Sequence, residues 1–288
     1  MDIHKEQSRI NSLSRDAWEH FSSHRAHVSD LICRLAAKLP NEAQKESGRP
    51  SLAIFGAGNG NDLDVDRLLE SFGRIHLFDL DQHSLDHLKE RHCQSSLAKK
   101  NIQIEPAIDL SGVVTELGQY PQSATDAEAE ILANKAQNVS EIIDARQFDV
   151  VVSTCMLTQL LDSVLKAVGD LHPHKHFLMI ALRDGHLKLM SKAIRPGGSG
   201  LLVTDFVSSD TLPELEDASG ESVLTIARQA IEDRNFFTGT LPWAIKDSLS
   251  KMLLESGDQP WEIHSPWKWQ IGSDRSYLVT AIEFAKTF

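Results

Sequence analysis

The chain has 288 residues, 41% hydrophobic and 24% charged, which suits a globular protein with a large core and argues against a fibrous or disordered one. A net charge of -12 opposes phosphate backbones and anionic membrane, so nucleic acid is not expected as a partner. Cys33, Cys93 and Cys155 are too far apart for a zinc site or a disulfide framework, no apolar run reaches the roughly 18 residues of a membrane span, and the first residues lack a signal-peptide core, so the expected setting is cytoplasmic, with no metal and no membrane.

Trp18, Phe21, Val28, Leu31, Ile32, Leu35 and Leu39 recur at three- and four-residue steps, predicting one helix over residues 14–39. Pro40 and the polar stretch to Gly48 end it. From Ser51 strands and helices alternate: "SLAIF", helix "DLDVDRLLESF", "RIHLFDLD", helix "SLDHLKERHCQSSL", "IQIEPAI". Residues 111–146 read as helical, "FDVVVSTCML" as a strand buried on both faces, and "KHFLMIALRDGHLKLMSKAI" as a helix stopped by "RPGG". "SGLLVTDF" is the next strand, and "RSYLVTAIEFAKTF" the last, with "WEIHSPWKWQ" as its partner. The pattern predicts an α/β fold: a doubly wound, mainly parallel sheet with helices on both faces and ligands at the carboxyl ends of its strands. A helical cap over 1–48 precedes the α/β domain over 49–288, with insertions near 111–146 and 208–250.

The strand-end loops carry the chemistry. Gly56-Ala57-Gly58-Asn59-Gly60 lets backbone approach a ligand closely, and Asp62 follows as the expected cap of the next helix. A dinucleotide fingerprint wants a third glycine at position 61, where Asn61 stands. Asp79, about 20 residues beyond the glycines, can accept hydrogen bonds from a ribose diol, with Leu80 against a base. Asp109, followed by Leu110, can accept from an exocyclic amine; Ser153 and Thr154 would line the floor beside the glycine loop.

This order of motifs, from the loop at 56–60 through Asp79, Asp109 and Ser153 to "RPGGSGLLVTDF", resembles the class I S-adenosylmethionine-dependent methyltransferases over residues 50–206. The resemblance implies a seven-stranded Rossmann-like sheet and S-adenosyl-L-methionine as cofactor, leaving S-adenosyl-L-homocysteine. It also implies that Gly56, Ala57, Gly58 and Gly60 approach the methionine part, that Asp79 binds the ribose and that Asp109 binds the adenine amine. Members carry an acid two residues before the first glycine, where this chain has Ile54; Asp62 could stand in.

"STCM" after the fourth strand lacks the prolines of base-amine methylating enzymes, a Pro-Cys nucleophile and a glutamate pair, and Asp205-Phe206 does not match a catechol-type metal site. A small-molecule acceptor is therefore expected, with His24 and Asp205 as candidate proton-handling residues and an aromatic lid around Trp18. An NAD(P)-dependent oxidoreductase and a non-catalytic nucleoside-binding protein are the alternative readings. "HPHKH" at 172–176 reads as a solvated loop, and His83 and His87 as surface.

Overall fold

The β-branched run of the fourth strand forms β4 (Phe148–Thr154) in the computed structural model, and all of its residues are buried. The structure describes residues 2–39, 48–139, 142–143, 147–253, 261–272 and 275–286. Parallel to β4 on one side runs β1 (Ser51–Phe55), followed outward by β2 (Arg74–Phe78) and β3 (Ile102–Ile104). On the other side β5 (Ile194–Ser208) is parallel to β4 and antiparallel to β8 (Ser276–Ala285). The order is β3-β2-β1-β4-β5-β8-β6, with a further strand paired to β8.

The sheet has eight strands, not the expected seven. β6 (Trp261–Ile263) and β7 (Trp267–Gln270) both pair with β8, along the edge that β5 leaves free. They are one edge strand interrupted at Ser265-Pro266, because proline has no N–H to give the ladder.

Alternation along β1 divides the core. Leu52 and Ile54 enter one apolar cluster with Val28, Ile32, Leu68 and Leu88, whereas Ala53 and Phe55 enter another with Leu157, Leu182 and Leu187. With both faces covered by helices, polar groups collect beyond the strand ends.

Several boundaries move. The helix expected over 14–39 is two: α1 (Ile3–Ser14), capped by Asp2, and α2 (Ser22–Lys38), joined by a turning segment that contains Trp18. After β1 comes α3 (Val65–Ser71), whose cap is Asp64, not Asp62. The helix expected after β2 is split into α4 (Gln82–His92) and α5 (Ser96–Asn101), because Ser95 caps a new start. Residues 111–146 contain α6 (Val114–Gly118) and α7 (Asp126–Gln137), the latter opened by a Thr125–Glu128 capping box. β4 stops at Thr154, since Cys155 takes φ 48° and α8 (Met156–Val168) begins. α9 (Lys175–Ala193) runs directly into β5, so the "RPGG" that ends the helix already belongs to the strand.

"HPHKH" is not a solvated loop. His172 and His174 are buried; His174 Nδ1 lies 2.9 Å from the Tyr120 hydroxyl and its Nε2 2.9 Å from Asp126 Oδ1. Residues 206–230 form a smaller cluster with Leu278 around α10 (Glu221–Glu232), and α11 (Pro242–Leu253) comes next in the chain. No helix among the described residues is long and apolar enough to cross a membrane.

Gly185 lets α9 press against the end of α7: a β-carbon there would stand 2.0 Å from the Ala136 carbonyl oxygen. Alanine would gain about 1 kcal/mol of helix propensity, but displacing backbone costs roughly 1–3 kcal/mol. Gly185→Ala is therefore expected to destabilise the protein in urea unfolding, and a rise in the midpoint would contradict this packing.

Candidate functional site

The turn after β1 takes left-handed backbone at Gly56 (φ 78°), Gly58 (49°) and Gly60 (74°). A β-carbon on Gly56 would stand 2.9 Å from Met156 Cβ, and one on Gly60 2.9 Å from Leu88 Cγ. One on Gly58 would meet nothing within 4 Å. Two glycines thus serve internal packing and the third faces open space. The N–H groups of Gly56 and Ala57 donate to the Phe78 carbonyl at 3.0 Å, and Thr154 Oγ1 donates to the Gly56 carbonyl at 2.8 Å.

Asp79 is built into this loop rather than standing free at an accessible strand end. It is 8% exposed, its Oδ2 accepting from Gly58 N–H (2.8 Å) and its Oδ1 from Asp81 N–H (2.9 Å). Burial pushes its carboxyl up to about 6 against the pull of these hydrogen bonds. Asp81 caps α4 through His83 N–H, so Asp79 is not a helix cap. Asp109 ties down the turn ahead of α6, whose N-cap is Val113: its Oδ2 accepts from Val114 N–H at 2.8 Å, and its Oδ1 from Ser111 N–H at 2.9 Å and the Ser111 hydroxyl at 2.6 Å. Leu80 is half-buried and Leu110 buried, both against the same apolar cluster. Ser153 is wholly buried, 2.8 Å from His186 Nε2, and lines no open floor.

The cover over this edge is α1, which the hydrophobic pattern did not reveal. Asn11 Nδ2 donates to Asp81 Oδ2 (3.1 Å), Asn59 Nδ2 to the Asn11 carbonyl (2.7 Å) and Asn61 Nδ2 to the Ser14 carbonyl (2.7 Å). Gln7 Nε2 donates to Gln159 Oε1 at 2.9 Å, and Lys166 Nζ to Glu6 Oε1 at 3.2 Å. Ile3 is its buried apolar anchor. Such a polar helix leaves no stripe to read; Asp2 as an N-cap was the available signal. Trp18 is half-buried, its ring carrying the Arg25 guanidinium at 3.4 Å and the His92 ring at 4.4 Å. With Arg91, His92 and Asp64 it also lines a cavity of about 240 Å³ that includes none of the site residues expected from sequence.

A second polar group gathers beside the loop. Asp62, released from capping, has Oδ1 3.4 Å from His24 Nε2. Burial pushes its carboxyl up to about 7, with Asp205 raising it further and Arg25 opposing. Burial likewise pushes Asp205 up to about 6, against the Thr158 hydroxyl donating at 2.7 Å. Cys155 lies near both carboxyls and, buried, is held well above the usual thiol range. His24, its neutral form favoured by burial, falls to about 3. His24 and Asp205, the two candidates for proton handling, are thus gathered around Asp62.

These shifts carry a pH signature. A raised carboxyl keeps a proton in the folded state that the unfolded chain has already released, so its stabilising contribution is complete below about pH 4 and is lost as pH rises through about 7. Buried histidines act oppositely, since their contribution is present above about pH 6.5 and is lost as pH falls toward their folded values. Asp62→Asn removes only the first effect. Relative to the parent, the variant is expected to gain on the order of a few kcal/mol between pH 5 and pH 8. Chemical unfolding at the two pH values checks this, and an unchanged difference would refute it.

No protein-family model and no curated protein matches the chain. Among solved structures it is similar to the YcgJ protein from Bacillus subtilis (11% identity, 91% of this chain and 99% of that one, TM-score 0.46). It is also similar to magnesium protoporphyrin IX methyltransferase from Synechocystis PCC 6803 with bound SAH (10%, 92% and 84%, TM-score 0.43), and to the methyltransferase domain of bacterial CtHen1-C (12%, 86% and 94%, TM-score 0.42). At these identities and scores the likenesses carry no argument about activity. What the chain's own topology shows is a doubly wound, Rossmann-like α/β sheet: parallel β3-β2-β1-β4-β5 closed by antiparallel β8, with the glycine turn after β1.

Proposed function

We propose that the protein is an S-adenosylmethionine-dependent methyltransferase acting on a small-molecule acceptor. The observation that carries this reading is the glycine turn whose middle residue, Gly58, faces open space while its N–H is held by the buried Asp79. The residues fit the cofactor. Asp79 accepts from the Gly58 and Asp81 N–H groups and Asp109 Oδ2 from Val114 N–H, which leaves acceptor lone pairs for a ligand, whereas Asp109 Oδ1 already takes both the N–H and the hydroxyl of Ser111. Leu80 and Leu110 supply apolar surface for a base. Ile54 is fully buried among the α2-side residues, so the acid usual at that position has no polar surroundings here.

When bound, S-adenosylmethionine would supply an electrophilic methyl group whose transfer leaves the carbon–sulfur electron pair on sulfur. The protein's part is alignment and dryness. Gly56, Ala57, Gly58, Asn59 and Gly60 would hold the methionine part, Asp79 the ribose hydroxyls and Asp109 the adenine amine. Thr154 holds the loop through the Gly56 carbonyl, and Ser153 supports the floor through His186. The largely polar contacts of α1 let it lift and reclose over the ligand without exposing much apolar core.

S-adenosylhomocysteine is expected to bind by calorimetry and to raise the melting temperature, because a ligand taken only by the folded state stabilises it. A shift with NAD and none with S-adenosylhomocysteine would overturn the reading. Asp79→Ala is expected to weaken that binding by roughly 1.5–3 kcal/mol and also to loosen the loop. Titration well below the variant's melting temperature separates the two effects, and unchanged affinity would remove Asp79 from the site.

A further inference from the structure

Two carboxylates stand unpaired beside the glycine loop. Among the described residues, no lysine or arginine nitrogen forms an ion pair with Asp62 or Asp205. Asp62 Oδ1 and His24 Nε2 approach to 3.4 Å, and neither has a hydrogen-bond partner. His24 is 1% exposed, and its Nδ1 accepts from Trp267 Nε1 at 3.1 Å. An indole N–H can only donate, so the imidazole proton is on Nε2, directed at Asp62. Asp205 Oδ1 accepts from Thr158, whereas Asp62 Oδ1 is buried beside His24 without a hydrogen bond, and the Asp62 side chain as a whole keeps 17% exposure.

Aromatic rings continue the site. Trp269 stacks on His24 at 4.5 Å, Tyr277 lies 5.7 Å from Trp269 and Phe237 lies 6.3 Å from Tyr277. Desolvated carboxyls with no cation in direct contact, beside aromatic rings of which Tyr277 already carries the Arg275 guanidinium at 5.2 Å, suit a positively charged organic ligand. A neutral alcohol would compensate no charge on either carboxyl, and a carboxylate would add another negative charge.

We propose that Asp62, Asp205 and this aromatic wall form the acceptor site for an organic amine, which enters as its ammonium ion and gives one N–H proton to the Asp62 carboxylate. The inference rests on the methyltransferase reading for the step after binding: loss of that proton frees the nitrogen lone pair for the methyl group, and nothing is oxidised or reduced. A carboxyl pushed up to about 7 by burial is matched to such proton transfer near neutral pH. The assignment moves Asp62 from the cofactor, where the sequence placed it, to the acceptor.

The test uses the full chain with benzylamine, benzyl alcohol and benzoate as probes, read by tryptophan emission and melting temperature at pH 7. S-adenosylhomocysteine is titrated separately by calorimetry. Benzylamine is expected to bind at least about tenfold more tightly than benzyl alcohol or benzoate, as one compensated buried charge implies. Asp62→Asn and Asp205→Asn should each erase most of that preference, and Asp62→Asn should leave S-adenosylhomocysteine affinity intact. Absent benzylamine binding, equal binding of the neutral or anionic probe, an undiminished preference in both variants, or loss of S-adenosylhomocysteine binding in Asp62→Asn would each overturn the amine site. Should benzylamine bind selectively while S-adenosylhomocysteine does not bind the parent at all, the amine site stands and the methyltransferase reading falls.

Discussion

The parallel pairing of β1 with β4 is the constraint on which the rest depends. Leu52, Ala53, Ile54 and Phe55 align with Val150, Val151, Val152 and Ser153, and all are buried. A strand pair covered on both faces leaves no polar surface along its length, so its backbone must be satisfied within the sheet and its chemistry displaced to its ends. At that end the chain turns through three left-handed glycines, and Asp79 from the next strand secures the turn. The candidate site is therefore a consequence of how the core is closed.

A carboxylate removed from water is costly unless something receives its charge. Asp79 meets this with two backbone N–H groups, and Asp109 with Val114 and Ser111. Asp62 and Asp205 do not, having a distant arginine each, one hydroxyl on Asp205, and a histidine held neutral by burial. The contrast divides the strand-end acids into two pairs: one already hydrogen-bonded within its own loops, the other left with charge that only a ligand or a proton can neutralise. The first lies along the glycine and β3 loops, the second between α2, β5 and the aromatic edge strands. Under the proposed function, that division would set a cofactor side apart from an acceptor side.

α1 shows a different economy of contacts. It has one apolar anchor, Ile3, and otherwise reaches the loops through amide and carboxylate side chains. Hydrogen bonds of this kind exchange readily with water, so such a cover can be stable when shut and still open at modest cost. α2 next to it is the opposite, its Val28, Ile32 and Leu35 fully buried against the sheet. Arg25 of α2 ties the turning segment between them to the glycine loop, donating to the Trp18 and Asn61 carbonyls.

What the sequence determined by itself was whatever depends on neighbours in the chain. The short apolar run "SLAIF", the β-branched run Val150–Val152, the glycine spacing at 56–60 and the acids at 79 and 109 are local signals, and they placed the sheet and the loops at its strand ends. The aromatic edge segment was also legible, although the break that Pro266 imposes on it was not drawn from the sequence. What only the tertiary structure decided was the direction of polar side chains. Whether Asp62 or Asp64 caps α3, whether His174 faces water or Tyr120, and whether His24 meets Asp62 all turn on residues tens of positions away. A polar residue carries no hydrophobic period to reveal its side, and its partner is chosen by whichever unsatisfied group the packed apolar core brings within reach.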